Sequence, residues 1–317
     1  MVDTTPRGLA TATAIGHSPD RGAPTSSLRR LTRRRSTTAF LFATPLLLVV
    51  GGLIVYPGFY AIYLSMLNKA QTKFVGLANF KFLLGRDLFW MVVQQVVVFA
   101  VTAVFFKAIL GFVAAHLVNN LPQKGQRKWR GMMLVPWVIP PALSTLGWWW
   151  MFDPTYSAFN WILALVGGPH IAWLSDPNWA RFCVILVNVW IGTPFFMIMY
   201  LAALKSVPAE LYEVASVDGA SAWQKLVYVT LPMMRNIISI TVLFSLIVTF
   251  ANYDIVRVLT NGGPRNMTHI LGTYAFRLGI ESGDIPLGAS VSLVMLPILG
   301  VFAAFILRGV RQRASEL

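Results

Sequence analysis

Polar residues are gathered into short stretches between six long apolar runs, at approximately residues 40–66, 89–118, 132–152, 179–204, 237–259 and 287–307. Crossing an apolar slab of roughly 30 Å takes about 20 helical residues, and each run has that length. Helices satisfy their own backbone hydrogen bonds in lipid, so the pattern predicts an all-α integral membrane protein with six transmembrane helices. Prolines in or at the ends of the runs (Pro45, Pro57, Pro136, Pro140, Pro141, Pro194, Pro297) predict bends, because each lacks a backbone donor. Between the runs, residues 68–87 and 158–166 read as short amphipathic pieces, with Trp161 and Trp173 expected at headgroup depth.

Composition fits this picture. The 317 residues are 56% hydrophobic and only 12% charged, so a broad basic nucleic-acid face is not expected despite a net charge of +14. Location explains that charge, since positive residues are retained on the cytoplasmic side. Seventeen of the 26 bases fall in the N-terminal stretch, in the loops after the second and fourth runs, and in the C-terminal stretch. Both termini are therefore expected in the cytoplasm. Residues 1–36, rich in Ser, Thr, Pro, Gly and Arg, are expected to be a disordered basic tail that can touch anionic lipid, ahead of an uncleaved first helix. Residues 37–312 would be the six-span domain and 313–317 a short cytoplasmic tail. Cys183 is the sole cysteine and the four histidines are scattered, so neither a disulfide nor a metal site is expected.

The loop at residues 206–232 departs from a plain connector. A helix-start signal at Ser206-Val-Pro-Ala-Glu210 is followed by a turn at Asp218-Gly219 and a second helical stretch from Ala220 to Thr230-Leu231-Pro232. Two short helices joined at a glycine predict an elbow, with Leu211, Val214 and Ala215 sharing a face beside Glu210, Glu213 and Asp218. Periodicity alone suits equally an amphipathic connector lying along the membrane.

Spacing adds to this. Glu213, Ala215, Gly219, Val229, Leu231 and Pro232 resemble the cytoplasmic EAA loop of binding-protein-dependent ABC importer permeases, with Val214 at the central alanine and Val229 at an isoleucine. Leu259-Thr-Asn-Gly-Gly-Pro264 resembles a turn of the maltose-type sugar branch. Trp173-Leu-Ser-Asp-Pro-Asn178, Val187-Asn-Val-Trp-Ile-Gly-Thr-Pro-Phe195 and Pro136-Trp-Val-Ile-Pro-Pro141 are also similar to it. The resemblance implies a type I ABC importer permease fold in a bacterial cytoplasmic (inner) membrane. It further implies partnership with a second, homologous permease subunit, two ATPase subunits and a periplasmic or extracellular solute-binding protein, for a sugar-class substrate. The elbow would then couple to an ATPase through Glu210, Glu213, Ala215, Asp218, Gly219, Leu231 and Pro232. No G-x-x-x-x-G-K-[ST] loop occurs in the chain, so ATP and Mg would be bound by the partner ATPases, this subunit being a non-catalytic one without a cofactor of its own.

Ser245, Thr249 and Asn252 are spaced to lie along one stripe of the fifth run, suited either to sugar hydroxyls or to interhelical hydrogen bonds. The resemblance places sugar contacts at these three and at Ile191, Gly192 and Phe195. Lys107, deep in the second run, is expected to find a structural partner in the bundle. Asp254 and Arg257 are expected to pair across one helical turn, and His269 to lie in an outer loop within reach of a solute-binding protein. Two other classes compete. An ion-coupled secondary transporter would need acids within spans, where Asp254 alone stands near an end, and a membrane enzyme would need a cluster of reactive side chains that the chain lacks.

Overall fold

The structure, a computed structural model, describes residues 35–314. The expected disordered tail thus lies outside the described residues, except that Arg35 and Ser36 already belong to the first helix, and the C-terminal helix continues through Arg313 and Ala314. Two compact units are distinguished, one through Gly58 and one from Phe59 onward. Helix α1 runs over Arg35–Val50, passes a π-helical turn at Gly51–Val55 and continues as Tyr56–Ser65. That turn sits just ahead of Pro57, where the missing donor interrupts the α ladder.

The second unit contains α2 (Ala78–Leu84), α3 (Asp87–Asn119), α4 (Gln123–Met133), α5 (Val135–Val138), α6 (Pro141–Met151), α7 (Ala158–Leu165) and α8 (Pro177–Ser206). It continues with α9 (Ala209–Val217), α10 (Ala222–Phe250, with a π turn at Leu226–Thr230), α11 (Tyr253–Leu259), α12 (Leu271–Phe276) and α13 (Ile285–Ala314). Local chemistry sets several starts. Asp176 caps α8 by accepting from the backbone of Asn178 and Trp179 at 2.9 and 3.1 Å ahead of Pro177 at N1, and Ser157 caps α7 from Asn160 N at 3.1 Å.

Five helices among the described residues are long and apolar enough to cross a membrane: Ala39–Ser65, Asp87–Asn119, Pro177–Ser206, Ala222–Phe250 and Ile285–Arg308. The third expected span is instead divided among α4, α5 and α6. Ile139 and Pro140 are extended, with ψ of 132° and 129°, because residues before a proline are driven out of the α region and Pro140-Pro141 places two in succession. The fifth expected span also breaks. Helix α10 ends at Phe250, and Asn252 restarts the chain as the cap of α11 by accepting from Ile255 N at 3.3 Å.

The most extensive packing pairs α3 with α8. A Cβ built on Gly111 of α3 would lie 2.3 Å from Phe196 Cβ and 3.1 Å from the backbone nitrogen of Met197, so only glycine allows these helices to approach as they do. Val92, Val96, Ala100, Ala103, Val187, Phe196 and Met197 fill the seam, with α10 packed against both helices. Trp173 is buried against Phe152, Phe159 and Trp179, its indole N–H bonded to Asn160 Oδ1 at 3.1 Å.

Candidate functional site

The elbow forms as two helices about a left-handed glycine. Asp218 closes α9, Gly219 takes φ +73°, and Ser221 opens α10 in a capping box with Gln224. Two hydrogen bonds tie its arms together, Tyr212 Oη with Thr230 Oγ1 at 2.9 Å and Lys225 Nζ donating to Ser216 Oγ at 2.7 Å. The face turned away carries Leu211, Val214 and Val217, which are 38%, 61% and 89% exposed, beside exposed Glu210 and Glu213. Ala215, one turn after Leu211, lies at the edge of that face. It is half-buried, on the same side as Tyr212. The second helix starts at Ala222 rather than Ala220 and does not stop at Leu231-Pro232. It passes its π turn, which absorbs the donor that Pro232 lacks, and continues into the membrane-length helix. The second arm of the elbow is thereby part of α10, and α9 is joined to it through the turn at residues 218–221.

A second constellation lies where α3, α8 and α10 meet. Lys107 is 3% exposed, and its Nζ donates to Thr249 Oγ1 at 2.8 Å. Its stem crosses Gly192, where a Cβ would lie 2.4 Å from Lys107 Cδ and 3.3 Å from Nζ. No described carboxylate pairs with Lys107. Of the expected pocket residues, Thr249 and Gly192 therefore meet, with Lys107 as the group that joins them. Ser245 and Ile191 are buried nearby in sequence on the same two helices. Phe195 stacks on Trp137 and meets Phe244, with centroids at 6.3 and 5.2 Å. Asn252 leaves the stripe, because the break after Phe250 makes it a helix cap. Buried Asn188, one turn before Gly192, has an Oδ1 without a hydrogen-bond partner, a feature the sequence reading did not single out.

At the end of the bundle away from the elbow, residues 260–270 form a tightly wound loop. Arg181 Nε donates to Met267 O at 3.0 Å. In the amide orientation that satisfies its neighbours, Gln95 donates to the carbonyls of His269 and Asn266 at 2.9 and 3.2 Å. A cleft of about 150 Å³ beneath the loop is lined by Met91, Gln95, Phe99, Arg181, Met267 and Ile270, none of them expected pocket residues. Arg257 pairs with Glu281 at 2.5 Å and not with Asp254, because α11 is followed by the loop that brings the turn after α12 alongside.

His269 lies in this loop as expected, but it is 2% exposed and flush against Gly262. Arg277 is a pure donor toward Nε2 at 3.2 Å, so Nδ1 carries the proton and donates to Thr273 Oγ1 at 3.1 Å. Burial, then the Arg277 charge, pushes His269 down to about 4. The folded value lies below the unfolded one near 6.5. Stability from neutral His269 is therefore complete above that pH and is lost as pH falls toward 4. Melting of the purified chain is expected to lose on the order of 2 kcal/mol between pH 6.5 and 5. In His269→Gln, that pH dependence should largely disappear; an unchanged slope would place it elsewhere.

The family described as binding-protein-dependent transport system inner membrane component matches residues 107–315. The trehalose/maltose transport system permease protein MalF of Thermococcus litoralis is 31% identical over 283 residues, covering 88% of this chain and 95% of that protein. The sulfoquinovosyl glycerol transport system permease protein SmoG of Agrobacterium fabrum is 29% identical over 280 residues, covering 87% and 91%. Among solved structures, a bacterial alginate ABC transporter in complex with an alginate pentasaccharide-bound periplasmic protein shares the fold. Its TM-score is 0.75 at 22% identity, covering 87% of this chain and 96% of that one.

Proposed function

We infer function from family: this chain belongs to the binding-protein-dependent transport system inner membrane components. We propose that it is the transmembrane permease subunit of an ATP-driven ABC importer for a sugar or sugar-like solute, in a bacterial inner membrane. The relatives' names, covering trehalose/maltose and sulfoquinovosyl glycerol, support that solute class. A solute-binding protein would deliver the solute, and a second permease and two ATPase subunits, which hold ATP and Mg, would complete the machine.

One observation carries the reading. The elbow presents Leu211, Val214 and Val217 to solvent beside Glu210 and Glu213, and is continuous with α10, which reaches Thr249. An apolar ridge rimmed by acids suits a cleft on a cytoplasmic partner. A push on α9 would pass to α10 through the Tyr212–Thr230 and Lys225–Ser216 hydrogen bonds and along α10 to the Lys107 constellation, giving alternating access. In this reading Gly219 sets the elbow angle, Asp218 closes α9, and Leu231 and Pro232 mark the entry to the membrane. The broken α5–α6 segment makes the sixth crossing, both termini are cytoplasmic, and residues 37–312 form one permease domain. Ser245, Thr249, Asn252, Ile191, Gly192 and Phe195 would contact solute once the helices part.

The test is co-expression of the chain with its genomic neighbours, followed by purification through a tag on this chain. An ATPase and a second permease are expected to co-purify, and uptake into proteoliposomes to require ATP. Uptake driven by an ion gradient, without any ATPase, would support the secondary-transporter alternative and sink the importer.

A further inference from the structure

We propose that the outward face of α4 is a binding site for the headgroups of anionic phospholipids. Helix α4 is polar and basic, and it lies between α3, which is long enough to cross the membrane, and the apolar α5 and α6. Its orientation about its axis is set by one residue. Gln126 is buried, its Nε2 donates to the carbonyls of Asn119 and Leu121 at 3.1 and 2.8 Å, and its Oε1 accepts from Lys205 Nζ of α8 at 2.8 Å. With Gln126 turned inward, the helical period turns Lys124, Lys128 and Gly131 outward, flanked by Arg127 and Met132. All five are exposed and line one shallow groove.

Charge and apolar surface together select the occupant. No described carboxylate pairs with Lys124, Arg127 or Lys128, whereas Lys205 is occupied by Gln126 and Arg130 Nε donates to Gln126 O at 3.2 Å. Gly131 leaves the floor of the groove open, since a Cβ there would meet nothing within 4 Å. Beside the cations stand exposed Trp129 and Met132, and beyond them exposed Val135, Trp137 and Val138. A phosphodiester held by two lysines and an arginine, with acyl chains running over the adjoining tryptophans and valines, fits that sequence of surfaces. An acidic protein surface would match the cations but leave the apolar margin uncovered. The site does not depend on the transport reading, only on the chain lying in a membrane.

Native mass spectrometry of the purified full chain in detergent, titrated with phosphatidylglycerol, phosphatidylcholine or inorganic phosphate, tests the proposal. Phosphatidylglycerol is expected to be retained over phosphatidylcholine. The combined Lys124→Gln, Arg127→Gln and Lys128→Gln variant should lower that retention at least about ten-fold, since each base near a surface contributes to anionic lipid attraction. Lys73→Gln with Lys81→Gln, at the other end of the bundle, should leave retention unchanged. Three outcomes would overturn the proposal: equal retention of both lipids, an unaffected triple variant, or inorganic phosphate displacing the lipid completely. Loss of a co-purifying protein from the triple variant with phosphatidylglycerol still bound would assign the face to a protein instead. If the triple variant is not recovered folded, Lys128→Glu alone carries the same comparison.

Discussion

Val214→Asp combined with Val217→Asp is expected to strip the ATPase from the purified complex and reduce ATP-dependent uptake by at least about ten-fold, the effect of losing central apolar contacts at an interface. Both side chains face away from the rest of the chain, at 61% and 89% exposure, so the substitutions add no buried charge to the isolated subunit. Its melting temperature should therefore be unchanged, which separates lost docking from lost folding. Two added carboxylates next to Glu210 and Glu213 would repel an acidic rim but attract a basic one, so loss of docking to a basic rim would report the lost apolar contacts and not charge. Gly219→Val should act differently. At φ +73° a β-branched residue is strained, so the elbow itself would be misset while its surface stayed apolar. Retention of the ATPase and full uptake by the double aspartate variant would rule out the elbow as the coupling element.

Gly192→Ala is expected to be strongly destabilising, because the space beside Gly192 is filled by Lys107. The new Cβ would fall 2.4 Å from Lys107 Cδ, and that side chain cannot swing away freely because its Nζ is held by Thr249 and its surroundings are buried. Displacing it breaks the hydrogen bond and leaves a buried amine without its partner, a loss of about 2–4 kcal/mol. Lys107→Ala costs packing and the same hydrogen bond, but it vacates the volume that the alanine needs. The double variant should thus be less destabilised than the sum of the two by about 1–2 kcal/mol, read from unfolding midpoints in mild detergent. Strict additivity would show that Gly192 and Lys107 do not share the space the structure gives them. Because Gly192 and Thr249 are also proposed solute contacts, uptake should fall with stability in Gly192→Ala.

The legible parts of this chain were those decided within a few residues. Long apolar runs fix helix length locally, and four of the six expected spans appear with ends moved by only a few residues. The elbow was readable for the same reason, since Asp218-Gly219 and the Ser221 to Gln224 spacing are turn and cap chemistry independent of anything distant. Prolines announced disturbance but not its degree: Pro194 is accommodated inside α8, while Pro140-Pro141 divides a span. Asn252 was misplaced because periodicity assumes an unbroken helix, and the end of α10 shows in composition as nothing stronger than a polar residue among apolar ones.

Sequence alone determined the membrane class, the spans of unbroken hydropathy, the elbow and, through the spacing of its motifs, the family. Hydropathy, capping and turn preferences act over one or two helical turns, so they leave a readable mark. Tertiary structure decided the pairings. Lys107 finds Thr249 at a separation of 142 residues, and Arg257 prefers Glu281 to the nearer Asp254. His269 is enclosed by Gly262 and Arg277, and Gln126 reaches across to Lys205 to turn the basic face of α4 outward. Each depends on how closely distant segments approach, and at Gly111, Gly192 and Gly262 the lack of a side chain has meaning only once the neighbour that fills the space is known.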